Sequence, residues 1–287
     1  MSHYGIPSGV IAELVTPHTL KGGFCEKSAF QLVDYTRSNG CMGAYVGGPL
    51  GGLDSVNAET RISMMRAACT TGQEVIFNVT HVDPDTERAL ASSAETTVPE
   101  YVALSIDRNT WNSEAEAAIE RLAAVFGRAC HSRILLALND DGWPSASCFA
   151  SVCNTKLIHG VIAETNDRTR YEQMIRWARM FGLYDTLFWS GDHLITTLGV
   201  RGLSRLISRA ACVYPQRAVR SIGGLQNARE CAYYRRAASY DLPTAHAVLY
   251  KKDVLLSPVP PPAFEVLDEA AIGGIAEQWY LSKTGES

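Results

Sequence analysis

Short apolar, β-branched runs alternate with longer amphipathic stretches along most of this chain. That rhythm constrains the fold more than any other feature. A short strand followed by a helix, repeated in series, builds a parallel sheet covered by helices. Eight strand candidates can be placed: Gly9–Val15, Gly43–Gly47, Glu74–Val79, Tyr101–Ile106, Arg133–Leu138, Leu157–Ala163, Thr186–Ser190 and Ala218–Ile222. Helical patterns lie between them at Glu26–Ser38, Ala58–Thr70, Asp85–Glu95, Ser113–Ala129, Arg168–Phe181 and Leu194–Cys212. Asn57 reads as the N-cap of the second helix, and Ser38-Asn39-Gly40 as the stop of the first. Eight such units close into an α/β fold of the (β/α)8, or TIM-barrel, type, and 287 residues suit a single barrel. The expected division is a barrel over residues 1–226 and a C-terminal helical extension over 227–287 packed on it. The break Ser257-Pro258-Val259-Pro260-Pro261-Pro262 separates two helical patterns within that extension.

Composition narrows the function classes. A formal charge of −4 offers no broad basic field for phosphates, so no nucleic-acid partner is expected, and a small-molecule ligand fits better. The eight cysteines are dispersed, with no C-x-x-C pair, and read as reduced core thiols; no metal site and no cofactor are expected. No run of about 18 apolar residues is present and the N-terminus lacks a charged segment leading into an apolar one. A cytoplasmic protein with no membrane partner is the expectation.

In a (β/α)8 barrel the chemistry sits where strands end. Those ends carry Asp107, Asp140, Asp141, Glu164 and Asp192, with His81 and His193 as imidazoles able to complete a carboxylate–imidazole pair or a metal set. The competing reading is that Asp107, Asn139, Glu164-Thr165 and Asp192 cap the helices that follow them. Gly48, Pro49, Leu50, Ile162, Ser190 and Gly191, on or after strands two, six and seven, are the ligand-binding candidates. The Gly47–Gly52 run is a tight βα turn rather than a phosphate cradle, because no Lys-Ser/Thr follows and Pro49 lacks an N–H. His159 reads as a core histidine facing the helices. Trp111, Trp143 and Trp189 suit either a pocket wall or helix–barrel packing.

Several segments resemble, in order, the dihydrodipicolinate synthase and N-acetylneuraminate lyase superfamily. Gly9-Val10-Ile11-Ala12-Glu13-Leu14-Val15-Thr16-Pro17 is similar to its first strand. Gly43-Ala44-Tyr45-Val46-Gly47-Gly48 with Ser55 and Glu59-Thr60-Arg61 is similar to its second strand, turn and helix. Leu187-Phe188-Trp189-Ser190-Gly191-Asp192 matches its Ser-Gly-Asp motif, and Pro258–Pro262 its Pro-Pro segment. The resemblance implies an aldolase-type lyase in which a sixth-strand lysine forms a Schiff base with pyruvate, in a homo-oligomer (dimer or tetramer).

The chain departs from that pattern at each chemical position. The lysine position in Gly160-Val161-Ile162-Ala163-Glu164 is Ile162. Lys156 lies six residues earlier, roughly 20 Å lower at about 3.3 Å per residue. The proton-shuttling tyrosine falls at Leu136 or Ala137. The hydroxyl-bearing turn reads Gly48-Pro49-Leu50-Gly51-Gly52, and Asn139-Asp140-Asp141-Gly142 lacks the carboxylate-gripping arginine. Two functions follow as expectations. One is a pseudoenzyme or small-ligand or partner-binding barrel whose mouth is filled by Ile162, Leu136 and Leu50. The alternative is a lyase or aldolase-type enzyme acting on a keto acid through carboxylate, histidine or metal groups.

Overall fold

The computed structural model describes residues 9–53, 55–113, 115–127, 131–196, 205–222, 234–268 and 270–274. Eight parallel strands close in sequence order: β1 (Gly9–Glu13), β2 (Gly43–Val46), β3 (Glu74–Asn78), β4 (Tyr101–Ser105), β5 (Arg133–Leu138), β6 (Gly160–Glu164), β7 (Leu187–Ser190) and β8 (Arg205–Ser208). β8 pairs with β1 through Leu206 opposite Val10, which shuts the ring.

Helices cover the outside: α1 (Glu26–Ser38), α2 (Ala58–Cys69), α3 (Pro84–Thr97), α4 (Arg108–Ser113), α5 (Ala115–Phe126), α6 (Ala146–Asn154) and α7 (Arg168–Met180). Short α8 (His193–Thr196) follows β7; α9 (Ala210–Val213) and α10 (Pro215–Ile222) follow β8; and α11 (Leu242–Lys251) packs on α9. Asx and serine caps start many of them: Asn57 accepts from Thr60 N–H, Asp83 from Asp85 and Thr86, Ser145 from Cys148, Asp167 from Thr169 and Asp241 from Thr244. Asn39 closes α1, and Gly40 follows it with a φ of 93°.

Strand alternation divides the core in two. Outward residues such as Val10, Val46, Phe77, Leu136, Val161 and Trp189 meet the helices. Inward residues Ile11, Ile76, Ala103, Leu135, Ala137, Ile162, Phe188 and Ile207 fill the barrel, with Tyr101 edge-on to Phe188 at 5.2 Å. Below them Arg205 donates to Glu74 Oε1 at 2.8 Å and to Tyr101 Oη at 3.3 Å, stacking its guanidinium over Phe188. A polar stopper therefore closes the lower end.

Three expectations are corrected here. The eighth strand is Arg205–Ser208; Ala218–Ile222 lies in α10, and the run Leu194–Cys212 contains β8 instead of forming one helix. The misreading has a physical cause: Arg205 and Ser208 flank only two apolar residues, because Arg205 is spent on Glu74 inside the barrel and Ser208, on the outer face, on Asp192. Leu136 faces the helices, so Ala137, paired with Ile162, is the inward residue of β5. His159 precedes β6 and is exposed; it is not a core histidine, and its Nδ1 accepts the Ile134 N–H at 3.1 Å. The boundary expected at residue 226 and the strand end Gly223-Gly224 lie outside the described residues.

Candidate functional site at the barrel mouth

Glu13 is the last residue of β1, two positions above inward Ile11, and is only 2% exposed. Its Oε1 accepts the Leu50 N–H at 2.6 Å, and its Oε2 accepts Arg209 Nε at 3.3 Å. Burial raises the Glu13 carboxyl above its ordinary value; Arg209 and the Leu50 N–H oppose that rise, and nearby Glu164 adds to it. Tyr45, inward on β2 and opposite Glu13 in the register, is also pushed up, by burial first and by Glu13 and Glu164 next. Arg209 is raised as well, held more firmly protonated chiefly by Glu13, against the cost of its own burial. The top inner layer is thus polar, whereas the layer around Ile162 is apolar.

The turn after β2 is shaped to let Glu13 in. A Cβ on Gly48 would come within 2.5 Å of the Tyr45 ring and 2.7 Å of Glu13 Oε1. Gly48 is therefore a place of close approach, and Pro49–Gly51 is a 3-10 turn that aims Leu50 N–H inward. The Leu50 side chain is buried in the outer core and does not fill the mouth.

The remaining expected residues separate into roles. Asp107 accepts from Thr110 N–H and Oγ1 and pairs with Arg121 at 2.9 Å; burial raises its carboxyl, but these contacts outweigh burial and hold it below the usual range. Asp140 is likewise held low, binding Thr165 Oγ1, Asn166 N–H and Arg170, which ties the β5 and β6 loops together. Asp141 is exposed and makes no hydrogen bond or ion pair among the described residues. Asp192 is buried: it accepts from Ser208 Oγ and Tyr234 Oη on one oxygen and from Arg209 and Ala210 N–H on the other. His81 Nδ1 accepts the Asp83 N–H, within the β3 loop, while His193 Nε2 bonds the Thr165 carbonyl across from β6. The two imidazoles are used in separate loops. Ser190 is inward, opposite Glu164, and Gly191 sits over the His193 ring. Trp111 and Trp189 pack in the outer core, and Trp143 donates to Gln173.

Glu164, the last residue of β6, shares with Asp141 the lack of any hydrogen bond or ion pair among the described residues, but Glu164 lines a cavity of about 300 Å3 with Gly191, Asp192, His193, Arg209, Arg235, Ala238 and Ser239. Among the described residues no group of three metal-ligand side chains gathers. Sequence reasoning passed over Glu13, Tyr45 and Arg209. A signal existed for the first, since a charged residue stands at the inward position of the apolar run Gly9–Val15. Arg209 was hidden because its segment was read as helix.

The fold and this mouth define a (β/α)8 barrel with a polar, charged C-terminal rim. Residues 6–97 match the Dihydrodipicolinate synthetase family, in line with the resemblance read from the sequence over that part of the chain. A sialic acid aldolase catalytic lysine mutant from Ruminococcus gnavus is 16% identical, covering 99% of each chain with a TM-score of 0.78. N-acetylneuraminate lyase from Aliivibrio salmonicida is 13% identical over 96% of each chain, also at 0.78. Dihydrodipicolinate synthase from Agrobacterium tumefaciens is 18% identical, covering 96% of this chain and 98% of its own, at 0.76. At such identities the likeness is one of fold. A comparison with curated protein sequences returns no significant match.

Proposed function

We propose that this barrel binds a small molecule at its C-terminal mouth and performs no Schiff-base aldolase chemistry. One observation carries the reading: Ile162 stands on the inner face of β6, 3% exposed, beside Ala137 and Phe188, at the position where the resemblance puts the nucleophile. An imine requires an amine there. The R. gnavus relative is a catalytic lysine mutant of an aldolase, and the group its name invokes is the one this strand does without. The proposal includes a homo-oligomer in the cytoplasm, and light scattering on the purified chain is expected to report a dimer or tetramer. No helix among the described residues is long and apolar enough to cross a membrane.

The test is reductive trapping. With pyruvate and borohydride, intact-mass spectrometry is expected to find no adduct; a mass increase mapped to a lysine would overturn the reading.

A second reading, a lyase working by acid–base transfer on a keto acid, is favoured by Glu13, a carboxyl at the barrel mouth that burial raises above its ordinary value and so makes a better proton acceptor than an exposed one. It predicts measurable cleavage in a panel of 2-keto acids and their aldols. It further predicts that Glu13→Gln lowers turnover on the order of a hundredfold with the fold intact. A wild-type chain inactive across the panel leaves the binding protein alone.

A further inference from the structure

Arg209 and Glu164 face one cavity from the ends of β8 and β6, on either side of β7. Arg209 follows β8, is tethered through Nε to Glu13, and among the described residues makes no hydrogen bond through Nη1 or Nη2. Its side chain is 38% exposed, so the terminal edge of the guanidinium is presented to the cavity while the inner edge is held. Glu164 ends β6 and is equally without a partner among the described residues. The two are near enough for Glu164 to hold Arg209 protonated, yet they form no ion pair with each other. A held cation and a free carboxylate are therefore separated by open volume.

We propose that this gap is a binding site for a small carboxylic acid bearing a neighbouring hydrogen-bond donor, a hydroxyl or an ammonium. The ligand carboxylate lies on the two terminal nitrogens of Arg209, whose planar fork matches two carboxylate oxygens. Its donor points to Glu164. Asp192 does not compete for the ligand, because both of its oxygens are already bonded to Ser208, Tyr234, Arg209 N–H and Ala210 N–H. The cavity volume of about 300 Å3 suits a ligand of a few heavy atoms up to drug size. This inference rests on the small-ligand reading above and assigns the ligand's chemical class and the two groups that hold it.

Calorimetry on the full chain with four probes tests it: propionate, pyruvate, lactate and alanine. Lactate or alanine is expected to bind about tenfold tighter than propionate and pyruvate, which lack the donor. Whichever of lactate and alanine binds more tightly identifies the donor as hydroxyl or ammonium. Glu164→Ala, which removes the acceptor, is expected to erase that preference while propionate binding stays or rises. Arg209→Gln is expected to remove binding of every probe, and Arg209→Lys, which keeps the charge and the tether to Glu13 but loses the fork, to weaken it part-way. Equal affinity for propionate and lactate and alanine, no binding of any probe, or full binding by Arg209→Gln would each overturn the proposal. Trapping of a pyruvate adduct on a lysine would instead sink the small-ligand reading itself, whatever the affinities.

Discussion

At the residue scale, Glu13 decides the character of the mouth. Removing it leaves the Leu50 N–H buried without an acceptor and Arg209 without its tether. Glu13→Ala is expected to destabilise the chain by about 1–3 kcal/mol in urea unfolding, and Glu13→Gln by less, because the amide oxygen still accepts from Leu50. The pH dependence has a definite sign. A carboxyl whose folded value is raised binds more protons in the native than in the unfolded state above pH 4.5, so its contribution to stability falls as pH rises through that window. Glu13→Gln is expected to flatten that part of the stability profile. The same residue marks what was legible in the sequence. Ile162 could be read because a motif surrounds it. Glu13 belongs to a string whose apolar neighbours drew attention to burial, and its function depends on Arg209, 196 positions away, which no local pattern links to it.

At the element scale, seven strands and most helices were legible because each obeyed its own period, and the eighth strand was not. Leu206 and Ile207 are the only apolar residues of β8; its ends are spent on Arg205 beneath the barrel and Ser208 against Asp192. The segment Ala218–Ile222 offered a more conventional apolar pattern, yet it packs as α10. Partner strands, absent from any local window, decide such a case. Two substitutions test how the elements fit. Gly48→Ala drives a methyl into the Tyr45 ring and Glu13, and is expected to cost about 1–3 kcal/mol with a changed near-ultraviolet tyrosine signal. Phe188→Ala empties the centre of the inner layer between Tyr101 and Ile162, and a loss of about 3–5 kcal/mol is expected in the same unfolding experiment.

For the whole molecule, two buried histidines, one after β1 and one on α11, make stability respond to acid. His246 on α11 is fully buried with neither ring nitrogen bonded, and burial, then the proximity of His18, brings it down to about 3. His18, after β1, is also lowered, by burial first, while its Nδ1 contacts the Thr16 carbonyl. Both bases are protonated more readily in the unfolded chain, so stability is present above pH 6.5 and is lost as pH falls from 6.5 toward 3. His246→Leu removes an unbonded polar ring from the core, and thermal melts are expected to show equal or higher stability at pH 7 with a shallower acid decline. This decline runs opposite to the Glu13 effect, so the double variant separates the two.

The stopper of Arg205, Glu74 and Tyr101 makes the barrel a cup instead of a tube. Traffic to the space above Ile162 passes over one rim, built by the loops that follow the strands. Substitutions on the underside are then felt in unfolding alone, whereas a change of loop length or charge at the rim resets both what enters and how fast it leaves.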